Sequence, residues 1–223
     1  MKILLRVLAA CLIVAIPVFS LTAGANLVLR MPDVYQYEFK STDALRNIPA
    51  GMNSDEMGEF ISDYMMGKTS DFQVLYGDEA KPSSLFTQEE IDAAARTRVL
   101  AGWVLAVCLL ALILMLLGIF MLMKNGFGEE IRKRLKRAFM VFGGLVVAYV
   151  VVLTCGGKLL NLKLLGFLSY VPLDEDYYSA LFCQGLQTKI LIMVPVISAI
   201  IMGLIVYVLH KVTEPKMIFT RQE

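Results

Sequence analysis

Arg30, Tyr35, Tyr37 and Glu38 crowd one short stretch of this chain, and Glu89, Glu90 and Arg96 crowd another. A carboxylate beside phenols is a proton acceptor among hydroxyl donors. A guanidinium nearby presents a planar fork of N–H donors to a phosphate or carbonyl oxygen. Together these are the groups that would grip or act on an ester or a phosphate. The plainer reading is structural: Arg96 and Arg98 would pair with Glu89, Glu90 and Asp92 on one helix. Imidazole, the usual proton carrier near neutral pH, occurs once, at His210. With that one His, the spacing of Cys11, Cys108, Cys155 and Cys183 fits no zinc site. Cys11 and Cys108 read as buried span residues; a disulfide between Cys155 and Cys183 near the outer face is weighed, and unpaired buried thiols are the favoured reading.

The elements that must position these groups follow from hydropathy. Hydrophobic residues make up 57% of the 223, and 18% are charged. Val7–Leu29, Val99–Met123, Ala138–Cys155 and Ile190–Leu209 contain no Asp, Glu, Lys, Arg or His. A hydrocarbon layer about 30 Å thick takes around twenty such residues as a helix. In lipid a helix satisfies its own backbone, so four membrane-spanning α-helices are expected. Residues 30–98 carry 13 acids against 7 bases, whereas 124–137 carry 6 bases against 2 acids. Basic residues gather on the cytoplasmic side. Lys2, Arg6, the 124–137 loop and His210 with Lys211 therefore set both termini inside, and segments 30–98 and 156–189 outside. Ala23-Gly24-Ala25 has the form of a leader-cleavage triplet, but the apolar run continues to Leu29, which favours a retained span.

The chain thus divides into span 1–29, outer domain 30–98, span 99–123, basic loop 124–137, span 138–155, outer segment 156–189, span 190–209 and tail 210–223. The outer domain reads as a small α+β cap. Val34–Phe39 looks like a short aromatic strand after Pro32. Asn53 with Glu56 opens an amphipathic helix closed by Gly67. Phe72–Tyr76 and Ser83–Phe86 flank a turn as a hairpin. Thr87 with Glu90 opens a helix that meets no proline before Met123. Leu159–Val171, interrupted by Asn161 and Lys163, suits an interfacial helix. Gly144 with Ala148 and Ala199 with Gly203 are small-residue pairs suited to close helix packing within the chain or to dimerisation.

The order of motifs resembles the bacterial integral membrane family that includes the lipoprotein intramolecular transacylase. It runs from Arg30-x-Pro32-x-x-Tyr35-x-Tyr37-Glu38 through Asp63-Tyr-Met-Met-Gly67 to Leu85-Phe-Thr-Gln-Glu-Glu-Ile91 at the second span. The resemblance covers about the first 125 residues by motif and the remainder by topology. It implies a cell-membrane protein of bacteria that acts on lipid or lipoprotein at the outer leaflet and needs no cofactor. The family's activity moves an acyl chain onto the amino terminus of a lipoprotein, giving the lyso form. Its His-x-x-Asp-Val motif falls here on Ala93, Arg96 and Thr97, and no His lies between 156 and 189. Both family histidines are therefore missing, and the resemblance implies lost or altered catalysis.

Arg30, Tyr35, Tyr37, Glu38, Glu89 and Arg96 are the candidate outer-face contacts to lipid or to a partner. The competing class is a non-enzymatic accessory or regulatory subunit that docks a membrane protein through the acidic domain. A channel or transporter is disfavoured because the spans hold no ionisable group. The segregated charge offers no nucleic-acid footprint.

Overall fold

The computed structural model describes residues 2–42, 45, 51–77, 83–159 and 184–214. Its helices are α1 (Lys2–Arg30), α2 (Pro32–Thr42), α3 (Ser54–Met66), α4 (Gln88–Lys124), α5 (Gly128–Leu159) and α6 (Gln184–Val212), with strands β1 (Leu75–Tyr76) and β2 (Ser83–Ser84) between α3 and α4. Four of them, Arg6–Arg30, Gln88–Lys124, Gly128–Val152 and Thr188–Val212, are long and apolar enough to cross a membrane. Leu110, Ile113, Leu116, Leu117 and Phe120 of α4 and Val196, Ile200 and Leu204 of α6 lie exposed. An apolar surface of that extent belongs against lipid.

Helix α1 packs against α4, α5 and α6 alike and forms the axis of the bundle. Two cores stack along it. One gathers Leu12, Ile16, Leu122, Ile131 and Met202 at the end of the basic segment. The other gathers Val28, Tyr35, Phe39, Met57, Ile61, Phe72, Phe86 and Ala93 with Leu186, Ile190 and Val194 of α6. The small α2–α3–hairpin cap shares this second core with the spans, so its apolar burial depends on them.

Val34–Phe39, expected as a strand, is the middle of α2. Pro32 is its first residue, where a missing N–H costs nothing and a fixed φ suits the helix; Asp33 follows in the first turn. Val34, Tyr35, Glu38 and Phe39 are buried while Tyr37, Lys40 and Ser41 are exposed, a spacing of one helical face. Helix α3 follows expectation: Asn53 and Glu56 form a reciprocal capping box, and Gly67 closes the helix at φ 82°. Gly58 lets α3 approach α2, since a Cβ there would run into Gln36 and come within 3.2 Å of the Pro32 carbonyl oxygen. The hairpin has two-residue strands in antiparallel register, Leu75 opposite Ser84 and Tyr76 opposite Ser83.

Helix α4 is unbroken from its Thr87 capping box to Lys124. At 1.5 Å per residue it is about 55 Å long, so its first turns rise past the apolar layer into the cap. Of the six basic residues expected in a loop, Lys124 ends α4 and the other five lie on α5, which starts at Gly128, and only Asn125–Phe127 separate the two helices. Gly126, at φ 78°, makes that turn.

Three packing expectations change. Cys11 is exposed on α1, whereas Cys108 is buried as expected. A Cβ on Gly144 or Gly203 would meet nothing within 4 Å, so these glycines bring no described helices of the chain together. The close approach is made by Gly24, against Ser198 of α6. Leu159 ends α5 and Cys155 lies within it, while residues 160–171 of the expected interfacial helix and Cys183 lie outside the described set.

Candidate functional site

The sequence-predicted residues sort into two groups at the cap end of the bundle. Tyr35 and Glu38 point inward from α2, both 1% exposed or less. The Tyr35 hydroxyl donates to the Leu29 carbonyl at 2.7 Å, across the break between α1 and α2. Tyr37, on the opposite face of α2, is 67% exposed. Glu89 and Arg96 are exposed on the first turns of α4. The structure does not bring them to the Glu38 carboxylate, and each carries its own solvent-facing charge.

Arg30 ends α1 as a three-way tie. Its guanidinium donates to Met65 O of α3 and Ala101 O of α4, each at 3.4 Å, and to the Asn26 side chain one turn back. The Arg30 carbonyl in turn accepts from Ser62 at 2.6 Å. With its donors turned to carbonyls, this arginine fastens span to cap. Arg98 behaves alike. It donates to the carbonyls of Thr69 and Ser70 at 3.0 and 3.3 Å, and lies 4.9 Å over the Tyr64 ring. The structural reading of Arg98 therefore holds, through carbonyls and a π face in place of the expected carboxylates. Burial pushes the Tyr64 phenol above its ordinary range, the opposing pull of Arg98 notwithstanding.

Glu90 is 2% exposed, and its carboxylate accepts from the Thr87 backbone N–H at 2.6 Å and from the Thr87 hydroxyl at 3.0 Å. That carboxylate serves the helix start. Ala93, onto which the resemblance lays an entry histidine, is 4% exposed. Thr97 is buried on the same face and donates to the Ala93 carbonyl at 3.0 Å. Arg96 and Glu89, three and four residues from Ala93 along the helix, are exposed and turn away from that face.

The residue that sequence reasoning missed is Lys189. Standing in the first turns of α6, it forms an ion pair with Glu38, lies 4.2 Å over the Tyr37 ring and is 3.3 Å from the Ser41 hydroxyl. Glu38 lies 151 positions away along the chain, and no local spacing links the two. The only available signal was a lone lysine at the margin of an apolar run, facing an acidic domain. Chemically, this cluster holds one cation, still 29% exposed, against a carboxylate, a π face and a hydroxyl. It can offer charge to a phosphate or ester oxygen. It has no imidazole: His210 sits about 30 Å along α6, at the other end of the bundle. Among the described residues no group of His, Cys, Asp and Glu is placed to hold a metal ion.

No protein-family model and no curated protein matches the sequence. The structure is similar to that of the membrane integral lipoprotein intramolecular transacylase Lit from Bacillus cereus, with a TM-score of 0.57 at 14% identity, covering 95% of this chain and 98% of that one. At that identity the likeness is one of fold: a multi-pass helical membrane protein built like the transacylase.

Proposed function

We propose that this chain binds lipid or a lipidated protein at the outer leaflet of a bacterial cell membrane, without the acyl transfer of the family it resembles. The reading sets both termini in the cytoplasm and the acidic cap, residues 30–98, outside with segment 156–189. The observation that carries it is the Lys189–Glu38 pair under the exposed Tyr37 ring. It is a fixed, part-exposed cation at the span margin, in a fold like that of a lipoprotein-processing enzyme. Lipid phosphate and ester oxygens lie at that depth, where Lys and aromatic rings favour them. Ala93 in the buried face of α4 supplies no base, and Arg30 is turned to backbone carbonyls.

The test is mass spectrometry of lipoproteins from a host lacking its own transacylase. Expression of this chain is expected to leave them in the diacylglyceryl form, while the purified chain retains lipid or lipoprotein that Lys189→Met releases. Appearance of the lyso form would overturn the non-catalytic reading. A second reading, docking of a membrane-protein partner, is favoured by the solvent-facing Tyr37, Glu89 and Arg96 around a closed cap core. Crosslinking in membranes separates the two: a stoichiometric protein partner supports docking, and co-purified lipid alone supports the first.

A further inference from the structure

At the opposite end of the bundle a cavity of about 700 Å³ opens between α5 and α6. Its wall on α5 is a single stripe. Glu129, Arg132, Lys133 and Lys136 recur at three- and four-residue steps with Leu135 at their edge, and Phe139 continues the same face one turn deeper into the apolar run. Val206 and His210 of α6 form the facing wall, one turn apart. The lining thus changes from cationic to apolar along the helix axis, over about 5 Å between Lys136 and Phe139. Phospholipids change in the same sense, from phosphate to acyl chain.

The charges are unevenly committed. Glu129 pairs with Lys133 at 3.0 Å, and Glu214 approaches His210 at 3.6 Å. Arg132 donates to the Thr213 carbonyl at 2.8 Å, which fixes its guanidinium beside the end of α6. Lys136 has no carboxylate within ion-pair distance among the described residues. Three cations therefore face one carboxylate, Glu129, along the wall, and Phe139 is 61% exposed beneath them. A plain topology-setting loop would scatter its charges. Here they stand on a rigid helix that continues the third span.

We infer that this groove binds an anionic phospholipid of the leaflet on the basic side, its phosphate held by Lys136 and Arg132 and its acyl chain lying on Phe139 and Val206. The occupant is a lipid, and not a free anion, because the cations lead directly onto an apolar wall on a helix long and apolar enough to cross a membrane. This site is independent of the cap-end reading above.

The experiment is native mass spectrometry of the full chain in detergent with added phosphatidylglycerol or phosphatidylcholine. Retention of phosphatidylglycerol is expected to exceed that of phosphatidylcholine by about tenfold. Lys136→Gln should lower it about fivefold, the contribution of one surface cation. Phe139→Ser, which leaves every charge in place, should also lower it. Lys124→Gln, a basic residue outside the groove, should not. Equal retention of the two lipids, or an equal drop for Lys124→Gln, would overturn the site. Displacement by millimolar inorganic phosphate would make it a free-anion site and overturn the lipid reading.

Discussion

Gly24 of α1 lies so close to Ser198 of α6 that a Cβ on it would overlap the Ser198 hydroxyl and fall 3.0 Å from its backbone nitrogen. The contact is to backbone as well as side chain, so the helices themselves must part to admit a methyl group. Small residues serve this purpose between helices in lipid, where close van der Waals packing replaces hydrophobic exclusion. Gly24→Ala is expected to destabilise the protein by about 1–3 kcal/mol. Gly102→Ala, on a helix position with nothing within 4 Å, should be neutral or stabilising. Thermal unfolding in detergent reads both, and equal effects would refute the account.

The Lys189–Glu38 pair joins α6 to α2 and has one nearly buried member. Lys189→Met leaves a carboxylate that is 1% exposed without its lysine, at a cost of about 2–4 kcal/mol, moderated by the partial exposure of Lys189. The double change Glu38→Leu with Lys189→Met should recover most of that loss, because no buried charge then remains. A double variant as unstable as Lys189→Met alone would show that the pair is not coupled.

The raised Tyr64 phenol gives stability a direction with pH. Its burial in the cap opposes ionisation, so the unfolded chain releases this proton at lower pH than the folded one. Its contribution is complete below about pH 10 and is lost as pH rises through the folded value. Between pH 9 and 11 the parent's melting temperature should fall more than that of Tyr64→Phe. Parallel curves for the two would remove Tyr64 as the cause.

Membrane sidedness is open to labelling. In a chain whose four native cysteines are replaced, Lys68→Cys beside the cap should react with an impermeant thiol reagent from outside intact cells. Gly126→Cys, in the turn between α4 and α5, should react only after permeabilisation. The reverse pattern would end the orientation proposed here, against the tendency of basic residues to remain inside.

How much of this could be read from the residues varies with the range of the interaction. The spans, the Asn53 and Thr87 helix starts and the Gly67 stop depend on hydropathy or on partners three residues apart, and all are visible in one dimension. Val34–Phe39 misled because an aromatic six-residue window fits a pleated edge as well as a helical face. The core of Phe72, Phe86 and Ile61, into which Tyr35 and Phe39 turn, decides between them. Of the six candidate contacts, Arg30, Tyr35 and Glu38 are tied into the structure, while Tyr37, Glu89 and Arg96 face outward. Lys189 and the Gly24–Ser198 contact depend on pairings across most of the chain, which no local pattern encodes.

The axial position of α1 sets a timetable for biogenesis. Chains emerge from the ribosome amino terminus first, so α1 reaches the bilayer ahead of α4, α5 and α6, which pack on it. Ser198, the partner of Gly24, is made some 170 residues later, about ten to thirty-five seconds at ordinary rates of synthesis. Throughout that interval the tightest contact face of α1 has only lipid, or the insertion machinery, to cover it. The newborn protein is therefore most exposed to quality-control proteolysis before α6 arrives, and chains truncated within α6 should be cleared from the cell faster than those in which it is whole.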